Sequence, residues 1–242
     1  MKPLIRPPHR AIPSLPAGLG RWLWALALGT LMPLVWAQGI PPDESRTLGT
    51  VVPNTPLIDA QGRKFHLHDL KGKPVILSPI YARCPSACVA IGNSLQKALP
   101  QVGVPGRDFW VLSLTFDPKE GLSHIQAYQN RHRMDGYGWR AVYAENSKAL
   151  FELLDAIDFR FTYISEAIKD HPNFLVVLSP EMEIRAYVYG TEYDPAAIRK
   201  ALRIARGELT LWERWREYWL APTLLLMALA LGGVWLYRQF RR

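Results

Sequence analysis

Cysteine is almost missing from this chain: 242 residues hold two, Cys84 and Cys88. Two thiols cannot build a disulfide framework, nor supply all four ligands of a structural zinc site. Acidic residues are absent from positions 1–37, which carry Lys2, Arg6, Arg10 and Arg21. Charge of either sign is absent from Trp219 to Tyr237. No internal repeat is visible.

The formal charge is +8, but it is unevenly placed. Four basic residues precede position 38, and Arg238, Arg241 and Arg242 close the chain. Without those seven, residues 38–237 carry a formal +1. A near-neutral central domain with basic residues beside two apolar segments speaks against nucleic acid and for membrane topology.

The first apolar segment, Trp22 to Leu28 continuing to Ala37, is short and broken by Gly29, Thr30 and Pro33. Val35 and Ala37 suit a signal-peptidase site, so 1–37 reads as a secretory signal, with an uncleaved anchor as the alternative. Either way, residues 38 onward are expected outside the cytoplasm. The second segment, 219–237, is close to the ~20 residues that cross a bilayer core. Trp215, Trp219, Trp235 and Tyr237 mark its ends as an aromatic belt would. It reads as a C-terminal transmembrane helix with 238–242 as a cytoplasmic basic tail; a buried helix is the alternative. Residues 208–218 read as a juxtamembrane helix or a charged linker.

Between the segments, Gln38 to Arg46 reads as a flexible lead-in, within a lead-in segment 38–57, and 58–207 as the main domain. Pro56 to His66 suggests a strand pair turning at Gln61-Gly62. Pro74–Ala82 and Phe109–Phe116 are buried strands by their apolar runs. Helices are expected over Cys84–Leu99, ended by Pro100; over Ser123–Met134 with a Ser cap; over Ser147–Ile157; and from Asp194-Pro195 to about Arg206. Arg140–Tyr143 is a short strand, and Phe174–Leu178 with Ile184–Tyr189 forms a hairpin. Strands alternating with helices give an α/β sandwich.

The cysteines stand in Tyr81-Ala-Arg-Cys-Pro-Ser-Ala-Cys88, directly after a buried strand. A disulfide over ~5 residues contributes only about 2 kcal/mol in the loop-entropy model. Residues four apart on a regular helix hold their Cβ atoms ~5–6 Å apart, against ~3.5–4.5 Å in a disulfide. Two sulfurs on one helical face can instead share a soft ion, chiefly Cu(I), with zinc the alternative. Arg83 and the helix N-terminus favour thiolate at Cys84, and Pro85 suits the first helical position. A third ligand should be a histidine. His9 falls in the signal segment; His66 and His68 lie on an early strand; His124 and His132 fall on a helix expected to be exposed. His171, in Lys169-Asp-His-Pro-Asn-Phe174, lies just before a buried strand; a surface loop histidine is the alternative.

The cysteine motif after its strand, Leu114-Thr-Phe-Asp-Pro118 and the single His171 ahead of a Val-rich strand together resemble the Sco/SenC family. The resemblance runs from about Ile58 to Arg206, and its ending is similar to a bacterial branch. It implies a thioredoxin-like sandwich and one copper ion held by Cys84, Cys88 and His171. It also implies a membrane-tethered copper-binding protein, a metallochaperone for the binuclear copper centre of cytochrome c oxidase. Expected partners are the copper-bearing oxidase subunit, a periplasmic copper donor or thiol reductant, and the membrane. The place implied is the periplasmic side of a bacterial inner membrane. Asp117 matches the family's Asp-Pro position, with a supporting role or a strand-stopping turn as its two readings. The sequence departs from the family at Val89, where Pro is usual, and at Lys119-Glu120-Gly121. The alternative function is a thiol–disulfide oxidoreductase in which Cys84 attacks and Cys88 resolves, with a thiol peroxidase as a minor variant; a purely structural disulfide is the bland one.

Overall fold

A computed structural model describes residues 39–165 and 169–208, together with 223, 226, 227 and 229–231. All belong to the unit Gln38–Arg242. The expected signal segment, 1–37, lies outside the described residues, as do 209–218, 238–242 and most of the expected span 219–237. The described residues of that span are helical. Among the described residues no helix is long and apolar enough to cross a membrane.

Seven strands form one mixed sheet. Its members are β1 (Pro56–Asp59), β2 (Lys64–His66), β3 (Val75–Ile80), β4 (Trp110–Thr115), β5 (Trp139–Ala144), β8 (Phe174–Leu178) and β9 (Ile184–Tyr189). Their order is β2-β1-β5-β4-β3-β8-β9. β6 (Thr162–Tyr163) and β7 (Lys169–Asp170) make a separate small pair. β3, β4 and β5 run parallel, and β8 returns antiparallel to β3. The helices are α1 (Glu44–Thr47), α2 (Ala87–Val102), α3 (Leu122–Arg131), α4 (Ser147–Ala156) and α5 (Pro195–Ala205).

β3 is buried along its whole length, as a central strand covered on both faces must be. It contains Pro79, which has no N–H to donate. Its ladder to β8 reaches only Leu77↔Val176, two residues short of that proline. Beyond it, the chain leaving β3 (residues 81–86) and the chain entering β8 (171–173) come off the same end of the sheet. The thiol loop and the His171 loop are therefore neighbours by topology.

Several boundaries differ from expectation. α2 begins at Ala87, not Cys84, and Pro100 lies inside its last turn rather than ending it. The carbonyl that Pro100 cannot bond belongs to exposed Gln96, where water can serve it. α3 is capped at Gly121, not Ser123; His124 Nδ1 accepts the Gly121 N–H at 3.2 Å. The expected caps of α5 hold, with Asp194 accepting the Ala196 N–H at 2.9 Å and Pro195 in the first turn. Residues 39–46 of the lead-in, expected to be flexible, are pinned. The Asp43 N–H donates to Asp158 at 2.7 Å, Arg46 pairs with the same carboxylate, and the Tyr189 hydroxyl bonds Glu44.

His132 is the largest departure among the histidines. It was expected on an exposed helix, yet it is 0% exposed at the C-terminal end of α3. Its ring fills the space that a side chain at Gly92 of α2 would take, and burial pushes its pKa down. A Cβ at position 92 would stand 2.5 Å from the ring. Gly92→Ala should therefore destabilise by about 1–3 kcal/mol, as overpacking does. Urea unfolding of the reduced protein measures this; an unchanged midpoint would show that the ring can retreat.

Candidate metal centre

Cys84 and Cys88 are free thiols, both buried. Only Cys88 lies on α2, in its first turn; Cys84 and Pro85 precede the helix, so the sulfurs do not share a regular helical face. They meet because the loop folds over the helix start. The Cys84 N–H donates to the Tyr81 carbonyl at 3.0 Å, closing a turn. The two sulfurs are then hydrogen-bond partners, and the Cys84 sulfur also accepts the N–H groups of Cys88 and Ser86. The Ser86 hydroxyl lies 3.8 Å from the Cys84 sulfur.

The consequence is a strongly unequal pair. The Cys88 thiol first, then the amides of Cys88 and Ser86, hold the Cys84 pKa down to about 4, against the opposing effect of burial. Cys88 moves well upward: it donates to Cys84, it is fully buried, and the Cys84 charge disfavours a second one. The Cys88 sulfur accepts the Tyr81 N–H at 3.1 Å. One thiolate and one thiol share a proton between them.

Glu120 holds this loop in place, and the sequence reading had not singled it out as a functional residue. Its buried carboxylate accepts the Ala82 N–H at 2.9 Å, the Arg83 N–H at 3.0 Å, Arg83 Nε at 3.2 Å and the Thr115 hydroxyl. The signal available was Arg83, a charge inside an otherwise apolar loop, which implies a carboxylate partner. Asp117 does more than stop β4. Its carboxylate, 0% exposed, meets Arg83 at 3.3 Å, Lys169 at 3.1 Å and the Tyr163 hydroxyl at 3.0 Å. Burial acts to raise its pKa, but the Lys119 N–H, Lys169 and Tyr163 outweigh it and the net shift is downward.

His171 packs its ring against Phe116 at 4.8 Å and Phe159 at 5.9 Å between centroids. Phe116 also lies 6.3 Å from Tyr81, so one aromatic ring touches both loops. His171 Nδ1 lies 3.0 Å from the Pro172 carbonyl, which can only accept. Nδ1 is therefore the donor in this contact, which leaves Nε2 as the nitrogen for a metal, the arrangement usual in metal-binding histidines. Among the described residues no group of three or more His, Cys, Asp or Glu side chains stands ready to hold a metal ion. The structure brings the two sulfurs together and leaves the imidazole in the adjacent loop.

A sequence model of the SCO1/SenC family matches residues 45–205, more than half of the chain. The chain belongs to the SCO1/SenC family. A crystal structure from Aquifex aeolicus VF5, provisionally described as an electron transfer protein, is 51% identical over 66% of this chain and 95% of its own, with a TM-score of 0.65. BsSco, described as a member of the Sco family of cytochrome c oxidase assembly proteins with a disulfide switch, is 16% identical; the match covers 69% of this chain and 98% of that one, with a TM-score of 0.56. Arabidopsis thaliana ScoI, solved with copper bound, is 18% identical, covering 65% of this chain and 99% of that one at a TM-score of 0.51. The last two likenesses show the mixed α/β, thioredoxin-like fold alone. Among curated proteins, none matches the chain.

Seen as a SCO1/SenC site, the donor chemistry suits a soft cation. A thiolate and a thiol that needs only to lose one proton offer two sulfurs, and the imidazole offers nitrogen. Zinc, the alternative, would want four ligands, or three and a water. His66 and His68 lie elsewhere: His68 Nε2 bonds the Val52 carbonyl at 2.8 Å, and His66 ends β2.

Proposed function

We propose that this SCO1/SenC protein is a membrane-tethered copper-binding protein, a metallochaperone that assists assembly of the binuclear copper centre of cytochrome c oxidase. Cys84, Cys88 and His171 would hold Cu(I) as cargo. The observation that carries the reading is the unequal thiol pair beside a histidine whose Nδ1 is committed to a carbonyl. Metal requires both thiols reduced, so loading and disulfide formation exclude each other. The copper-bound and oxidase-assembly descriptions of the relatives support the cargo and the recipient. The partners of this reading are the copper-bearing oxidase subunit and a periplasmic copper donor or thiol reductant. Export by 1–37 and a C-terminal span over 219–237 place the domain on the periplasmic side of a bacterial inner membrane.

The test is Cu(I) titration of the reduced full-length protein and of His171→Ala, in competition with a chromophoric chelator. Altering even an outer partner of a metal ligand costs about 10–100-fold in affinity; losing the imidazole itself should cost at least that. Equal affinities would remove His171 from the site. A second reading, thiol–disulfide oxidoreductase, is favoured by the same ionised Cys84 with Cys88 in hydrogen-bond contact. It predicts disulfide reduction that survives His171→Ala.

A further inference from the structure

The thiol loop and the His171 loop are joined by a buried ionic tie. Lys169 stands in β7, two residues before His171, and its side chain is 1% exposed. Its ammonium lies 3.1 Å from Asp117 Oδ2 and 3.3 Å from the centroid of the Tyr81 ring. The same Asp117 oxygen meets Arg83 Nη2 at 3.3 Å, and Arg83 continues to Glu120. Tyr81 gives its N–H to the Cys88 sulfur, and Arg83 adjoins Cys84. One buried cation therefore reaches the thiol loop twice: through the face of Tyr81, and through Asp117 to Arg83.

An ammonium is costly to bury, and a hydrophobic residue of similar size often serves stability as well or better. Its cation–π contact and its shared carboxylate fix direction as well as distance. What this arrangement gives is spacing: two loops from different strands are held to one point.

We propose that Lys169 is a positioning residue that sets the distance between the thiol pair and His171, and through it the ability of the imidazole to join both sulfurs on one soft metal ion. The proposal rests on the reading of Cys84, Cys88 and His171 as copper ligands. Removing Lys169 leaves Asp117 with Arg83 and Tyr163, so the buried carboxylate keeps partners.

The test is a double-mutant cycle on the reduced full-length protein, with Cu(I) affinity read by chelator competition. Lys169→Met should weaken Cu(I) binding at least ~10-fold, about 1.4 kcal/mol. In the His171→Ala background the same change should cost less than about 2-fold, because the group it positions is gone. Lys169→Arg should restore most of the wild-type affinity. A copper-independent readout is amide hydrogen exchange of Asp170, His171 and Asn173, which should quicken in Lys169→Met and recover in Lys169→Arg. Unchanged affinity in Lys169→Met, or a loss that persists undiminished without His171, overturns the proposal. If Lys169→Met fails to fold, Lys169→Gln goes through the same cycle under the same criteria. Failure of the copper reading is separate: His171→Ala alone would then bind as wild type.

Discussion

Glu120→Ala is expected to lower the unfolding free energy of the reduced protein by about 3 kcal/mol, because it orphans several groups at once. Two peptide N–H groups, at Ala82 and Arg83, lose their acceptor inside the fold. A buried donor left unpaired costs about 1–3 kcal/mol. The Arg83 guanidinium also loses a partner, but its side chain is 45% exposed, so water screens that share. The Thr115 hydroxyl, bonded to the same carboxylate, is the fourth donor affected. Glu120→Gln keeps an acceptor oxygen and should cost about half as much. Urea midpoints at constant m measure both variants. A shift below ~0.5 kcal/mol for alanine, the range of ordinary surface changes, would mean that the loop finds other acceptors. The effect should also appear at the site, since the same two amides fix the turn that delivers Cys84.

The second large effect is on thiol chemistry. Alkylation of reduced protein with iodoacetamide should modify Cys84 first, at a rate nearly independent of pH between about 6 and 8. An ordinary thiol, with its pKa of 9.0, would react ~100-fold faster at pH 8 than at pH 6. Cys84, at about 4, is already ionised across that range. Its intrinsic nucleophilicity falls with its pKa, so the flat profile, rather than the absolute rate, is diagnostic. Cys88 should stay unmodified while folded, being fully buried and shifted upward. The same shift has a stability consequence. A folded pKa below the unfolded one means that the unfolded chain binds more protons between about pH 4 and pH 9. Stability should therefore rise with pH across that window and be lost as pH falls toward 4. Cys84→Ser should remove that part of the slope. A rate that climbs tenfold per pH unit in the wild type would show that Cys84 lacks its amide and thiol donors.

The places where the sequence reading and the structure part company share a cause. The helix expected from Cys84 starts at Ala87 because the Cys84 N–H closes a turn onto the Tyr81 carbonyl and Ser86 takes the N-cap position. His132 was assigned to an exposed face because α3 is polar overall, yet one glycine on another helix opened a space for its ring. Glu120 was read only as a departure from a family pattern. Its role depends on Arg83, 37 residues away. Val89, the other departure, sits on α2 beside Cys88, and nothing in the geometry gives it a particular task.

Local pattern settled what local physics controls. The apolar runs became β3, β4 and β8, the Asp194-Pro195 start became the cap of α5, and the thiol motif fell at a strand end because a buried run must stop where polar and turn residues begin. Membership of the SCO1/SenC family was legible in the same way, from spaced short motifs. Tertiary structure decided that the Cys88 thiol is what most lowers the Cys84 pKa, which carboxylate holds their loop, and that Lys169 reaches across to Tyr81. Those outcomes depend on burial and on distances of about 3 Å between residues far apart in the chain, where Coulomb energies and desolvation change steeply. A one-dimensional pattern carries neither quantity.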